Sequence, residues 1–156
     1  MRLLVAGVLL ASIIGSCAAL AGEDPGAAGF NTNCSICHQL TGQGVAGQFP
    51  RIAGRVNAIA ASAGGRKYLA ALVLNGMSGA IKVDGMPIIG VMPGFSGLDD
   101  ATLAAILNYA QKFDRKTKGA SISPADVKAA RKDFPLAPAA VHALRDALAP
   151  SAGIEH

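Results

Sequence analysis

Residues 34 to 38 read Cys34-Ser35-Ile36-Cys37-His38, and this Cys-x-x-Cys-His run constrains the fold more than any other stretch of the chain. Two thiols three positions apart can each add across one vinyl group of a haem, while the adjacent imidazole reaches the iron as an axial ligand. The run therefore reads as a c-type haem attachment site, with one covalent haem c and its iron as the cofactor. A redox dithiol would follow a strand, and a zinc site would need a second Cys/His pair; neither accompanies this run. Composition points the same way. With no Trp, two Tyr and five Phe in 156 residues, ordinary side chains make a thin core, and a buried porphyrin fills that gap.

The chain opens with Met1-Arg2, an apolar stretch from Leu3 to Ile14, and small residues ending in Ala19-Leu20-Ala21. That is the anatomy of a secretory signal peptide over residues 1–21, so the mature chain is expected in the periplasm. The stretch is shorter than the roughly 20 apolar residues of a membrane span. Ile14-Gly15-Ser16-Cys17 offers a second reading, lipid attachment at Cys17, and either that or an uncleaved signal would tether the protein to the membrane. The Ala-x-Ala pattern favours cleavage after Ala21. On either reading Cys34 and Cys37 are left for haem.

Residues 22–156 suffice for one compact domain, divided here into a haem domain over 22–118 and a helical extension over 119–156. With Arg2 removed, the mature chain carries 13 basic and 10 acidic side chains, a net +3, too small an excess to suggest nucleic acid. The excess falls after residue 111, where Lys112, Arg115, Lys116 and Lys118 cluster. Such a cluster can steer an acidic partner, or simply complement a helix C-terminus.

Pro25 to Asn33 reads as a short helix with Phe30 one turn before Cys34. Gln39 to Gly65 is rich in Gly and Pro and reads as loops. Arg66 to Asn75 has helical spacing, with Gly76 as its cap. Glycines and prolines interrupt Ser78 to Gly97 too often to indicate a helix or a definite strand. Asp99 then N-caps a helix with a Leu103, Ile106, Leu107 and Ala110 stripe, stapled by Leu98. Ser123-Pro124-Ala125-Asp126 starts a further helix running to about Phe134, and a last amphipathic segment uses Val141, Leu144 and Leu148.

In this order the pieces resemble a class I cytochrome c: helix, Cys-x-x-Cys-His, Pro-containing loop, Met-Pro loop, closing helix. The resemblance covers roughly residues 25 to 113. It rests on Phe30, Phe49-Pro50 with Ile52-Ala53-Gly54, Val91-Met92-Pro93-Gly94-Phe95, and the Leu98-Asp99-Asp100 start leading to Asn108-Tyr109. The tail from Ile122 to Val127 is similar to the segment C-terminal to the haem domain in cytochrome subunits of periplasmic dehydrogenases. The resemblance implies an all-α cytochrome c fold, short helices and loops wrapped around one haem, with His38 as proximal and Met92 as distal iron ligand. His/Met ligation leaves no position open for substrate and suits electron transfer.

Met86 and Met77 are the other candidates for the distal position, Met92 being favoured by its Pro-constrained loop. The Pro50 carbonyl is either a plain turn group or the acceptor for the proximal imidazole N–H. Arg51 and Arg55 are suited to pairing with haem propionates or to a solvated surface role. His142 is read as a helix-border residue, His156 as terminal, and Tyr109 and Phe30 as core. The function expected is single-electron transfer, not catalysis, between a periplasmic dehydrogenase or other redox protein and a terminal oxidase or other acceptor. The alternative is a catalytic or ligand-binding haem protein of peroxidase or gas-binding type.

Overall fold

Asp24, Pro25 and Gly26 start the first helix in three different ways. The Asp24 carboxylate accepts the Gly26 N–H at 2.9 Å, Pro25 takes the first helical position, where its missing N–H is not needed, and Gly26 carries no Cβ. The last feature matters most, because α1 (Pro25–Asn33) crosses the closing helix α5 (Asp100–Ala110) there. A Cβ on Gly26 would stand 2.3 Å from the Ala105 carbonyl oxygen and 2.9 Å from Tyr109 Cβ. One turn on, Phe30 is buried against Tyr109 and Phe113, with ring centroids 5.8 and 4.9 Å away in tilted and edge-on arrangements. This aromatic trio is the hinge around which the remaining chain is hung.

The computed structural model describes residues 24–113, 119–133, 136–152 and 154–155. The signal segment with Cys17, the basic residues Arg115, Lys116 and Lys118, the expected helix end at Phe134, and His156 lie outside them. Between the two crossing helices come α2 (Ser35–His38), α3 (Arg55–Ala61) and α4 (Gly65–Asn75). After α5, a short 3-10 turn (Gln111–Phe113) leads on towards α6 (Pro124–Asp133) and α7 (Pro138–Ala152). The α4 helix ends as expected at Gly76, whose φ of +73° is open to glycine. The α3 helix departs from the expected run of loops: Val56 and Ala60 bury one face, but Gly54 and Gly64 bracket it so closely that its period is hard to read.

The larger departure is an antiparallel hairpin in the stretch expected to be irregular. Strands β1 (Met77–Val83) and β2 (Met86–Met92) pair from Met77 opposite Met92 to Val83 opposite Met86. Their two-residue turn is Asp84-Gly85, both at positive φ (53° and 75°), the tight-turn chemistry that matches strand twist. Glycines at 79 and 90 face each other and interrupt the alternation of apolar side chains that would have marked the strands. The fold is otherwise helical, as expected.

The C-terminal helices wrap this body. Ser123 and Asp126 cap α6 reciprocally: Ser123 N–H donates to the Asp126 carboxylate at 2.8 Å, and Asp126 N–H to the Ser123 hydroxyl at 3.2 Å. Asn108 on α5 holds Ile122 by both its N–H and its carbonyl, and Val127 and Ala130 bury α6 against α4 and α5. The α7 helix packs its fully buried Val141 between α4 and β1. Among the described residues no helix is long and apolar enough to cross a membrane.

Alanine in place of glycine ordinarily favours a helix by up to about 1 kcal/mol, so the crossing reverses the expected sign. Gly26→Ala should cost about 1–3 kcal/mol by overpacking, read as a lower guanidinium midpoint. Gly29→Ala should cost less, because its closest contacts, Ile106 Cγ1 and Cδ1 at 2.7 and 2.9 Å, are side chain and not the backbone that Gly26 meets.

Candidate haem site

The segment from Cys34 to His38 is held as an almost continuous extension of α1. Cys34 caps that helix with its N–H on the Phe30 carbonyl at 2.8 Å, and its own carbonyl receives the Cys37 and His38 N–H groups at 3.3 and 3.0 Å. Both thiols are free and partly buried. Burial, with the neighbouring Cys37, pushes the Cys34 thiol up to about 11, so it is a neutral thiol at pH 7 rather than the activated thiolate of a dithiol catalyst.

His38 is buried, and its Nδ1 lies 2.9 Å from the Pro50 carbonyl oxygen. A carbonyl only accepts, so Nδ1 carries the hydrogen and Nε2 keeps a lone pair available to a metal. Burial lowers the imidazole pKa below its ordinary value, against the opposing pull of the Pro50 bond, which keeps the ring in the neutral form a metal needs. The Pro50 carbonyl is brought there by a small closed loop, in which Val45 and Phe49 exchange backbone bonds at 2.9 and 2.8 Å and Gly44 donates to the His38 carbonyl at 2.9 Å. At φ +64°, a Cβ on Gly44 would stand 2.3 Å from the Phe49 oxygen and 2.7 Å from the Pro50 carbonyl.

These groups open onto a cavity of about 420 Å³, within the range of cofactor pockets. Its wall takes Phe30, Cys34, Cys37 and His38 from the first helices, Leu69 and Tyr68 from α4, and Met77 and Met92 from the hairpin. Met77 and Met92 are register partners and so share one face of the hairpin. The Tyr68 hydroxyl lies 3.8 Å from the Met77 sulfur, and burial pushes its pKa up to about 12. Met92 is fixed from behind: Cβ atoms on Gly76 and Gly94 would stand 2.3 Å from the Met92 oxygen and 2.7 Å from the Leu74 oxygen, and Phe95 N–H donates to the Val73 carbonyl at 2.8 Å. Met86 is half exposed at the turn, its methyl over Gly47, and does not line the cavity. The order of the alternatives thus changes, Met77 being the second methionine within reach.

The lining fits a haem. Its apolar walls suit the macrocycle, two thiols three residues apart match paired vinyl groups, a neutral imidazole and thioethers are suitable iron donors, and arginines at one margin suit carboxylates. Arg51 and Arg55 both line the cavity but are engaged with protein carboxylates. Arg51 grips Asp84 through Nε at 2.7 Å and Nη2 at 2.6 Å, and also donates to the Ala53 carbonyl; Arg55 reaches Glu155 at 3.3 Å. His142 stays at the helix border, against the Ala80 carbonyl at 2.7 Å and Asp146 at 3.2 Å. Lys112 is ion-paired with Asp24 beside the Tyr109 ring, while the other members of the expected basic cluster lie outside the described residues.

One lining residue was not singled out by its sequence pattern: Arg145, buried on α7. It follows fully buried Val141 by four positions, the same helix face, and a charge on that apolar stripe was the available signal.

A cavity walled by two thiols three residues apart, an oriented imidazole and thioethers defines a haem protein of the c type. The chain belongs to the cytochrome c family, whose sequence pattern matches residues 23–114, and it is a class I monohaem c-type cytochrome with covalent haem c. It is 49% identical over 76 residues to cytochrome c-552 of Thermus thermophilus, over 49% of this chain and 58% of that protein. A second cytochrome c-552 of the same species also matches at 49% over 76 residues, which is 51% of its length. The chain thus spans about half the length of these curated relatives.

Gly44→Ala should press on the Pro50 carbonyl and loosen its bond to His38. The expected result is a stability loss of about 1 kcal/mol or more, with faster exchange of the His38 Nδ1 proton by NMR; an unchanged proton signal would show that the loop yields without moving Pro50.

Proposed function

We propose that the protein is an exported single-electron carrier in which Cys34 and Cys37 hold the haem, His38 is the proximal ligand and Met92 the distal one. The observation that carries this reading is that two backed donors line one cavity, His38 oriented by Pro50 and Met92 backed by Gly76 and Gly94. A bound haem supplies a one-electron couple, and a soft thioether favours its reduced form. The chain's part is to hold both donors still, so that little reorganisation accompanies a change of charge, and to close the position a substrate or gas would need.

In the periplasm the donor would be a dehydrogenase or another redox protein and the acceptor a terminal oxidase or similar centre. Ile36, Ile89 and Val91 line the cavity mouth and are largely exposed, an apolar rim suited to brief docking near the haem. The N-terminal pattern supports export, and the mature N-terminus tests it: mass spectrometry should find a chain beginning at Gly22, whereas an acylated Cys17 would make this a membrane-anchored form.

The ligand assignment is tested by three substitutions. Met92→Ala should keep covalent haem, abolish the weak long-wavelength methionine-to-iron band of the oxidised protein and lower the reduction potential. Met86→Ala and Met77→Ala should leave the band in place. Retention of the band in Met92→Ala, with its loss in Met77→Ala, would move the ligand one strand across the hairpin.

A further inference from the structure

We propose that Arg145, brought to the cavity by the C-terminal helix α7, is a binding cation for a haem propionate, which makes the segment after residue 138 part of the haem site. Arg145 is 5% exposed and lines the same cavity as Cys34 and His38. It lies outside the residues that match the family pattern, which end at 114, so the inference comes from this chain's own tail. It rests on the haem reading above.

A buried guanidinium is stable when its charge is balanced and its donors are all satisfied. Among the described residues, the carboxylate within ion-pair distance is Asp146, at 3.3 Å and on the outward side of the helix, where it also takes His142. The other contacts are neutral carbonyls, Glu155 at 2.7 Å and Lys82 at 3.4 Å, both on Nη2. These bonds orient the planar group, and Asp146 balances its charge from the exposed end only. They leave Nε–H and one Nη1–H, of five donors in all, for an acceptor in the cavity. The two arginines that stand nearer in sequence to His38 are already committed, Arg51 in a two-point grip on Asp84 and Arg55 on Glu155. A haem propionate would take these remaining donors, since a carboxylate is the acceptor that a guanidinium fork selects. The Arg145 charge is also felt at the Tyr68 hydroxyl, which places it on the cavity wall shared with α4.

The test uses the mature holoprotein, with covalent haem in every variant confirmed by its pyridine haemochrome spectrum, so that failure of the haem reading is seen separately. Arg145→Met keeps the apolar stem and removes the charge. It should lower the equilibrium constant for reduction several-fold, because an unbalanced propionate favours the oxidised iron. Arg145→Lys should recover most of that loss, and Arg51→Gln should change the constant less than Arg145→Met does. An Arg145→Met protein with wild-type potential would overturn the proposal and leave Arg145 as a clamp for the tail. In the wild-type protein, the Arg145 Nε–H resonance should be protected from solvent exchange and should shift between oxidation states. A rapidly exchanging, redox-insensitive resonance would overturn the proposal even if the Met variant failed to mature.

Discussion

The structure depends on how an apolar cavity of about 420 Å³ is filled. Without an occupant its apolar walls would face water, forfeiting the burial of apolar surface that is the main favourable contribution to folding. Phe30, Leu69, Tyr68 and Ile106 belong to the hydrophobic core and also line this space, so a group bound there would extend the core. Haem is therefore core as well as cofactor here. This is why a chain without tryptophan can afford so few large side chains.

The parts that can be read from the sequence are those whose cause is local. Five consecutive residues define the attachment chemistry, Asp24-Pro25 and Asp99 define helix starts, and Gly76 defines an end; each works through bonds spanning four residues or fewer. The Pro50 carbonyl has two readings in sequence, and the 45–49 loop closing behind Gly44 decides between them. The hairpin is hidden although Asp84-Gly85 is a strong turn signal, because Gly79, Pro87 and Gly90 break the alternation on either side of it. Arg145 is hidden for another reason. Its neighbours Val141, Leu144 and Leu148 satisfy a helical period on their own, and only the tertiary contact with β1 and the cavity turns that position inward.

The pairing of Arg51 with Asp84 and of Arg55 with Glu155 shows the same limit from the opposite side. Both arginines are sensible partners for carboxylates, and both find them, 33 and 100 positions away in the chain. Sequence identifies the type of partner such a side chain seeks, whereas the topology decides which carboxylate is near. The two acids respond with depressed pKa values: Arg51 holds Asp84 down, and the Gly85 and Asp84 N–H groups, with Arg55, hold Glu155 down.

These contacts also explain how a two-stranded hairpin can serve as a cavity wall. Alone, such a hairpin is marginal in water. Here it is braced at both ends. At one end Gly76 and Gly94 bring the Met92 backbone against the end of α4. At the other, the Glu155 carboxylate accepts the Asp84 and Gly85 N–H groups at 2.9 and 2.8 Å, and Arg145 and His142 reach the Lys82 and Ala80 carbonyls. The C-terminal segment supplies these bonds, and Arg51 adds its grip on Asp84 at the same turn. A displacement of α7 would therefore be passed along β1 to Met77 and across the register to Met92, and the distance between the hairpin and His38 is set as much by the tail of the chain as by the Met-Pro loop itself.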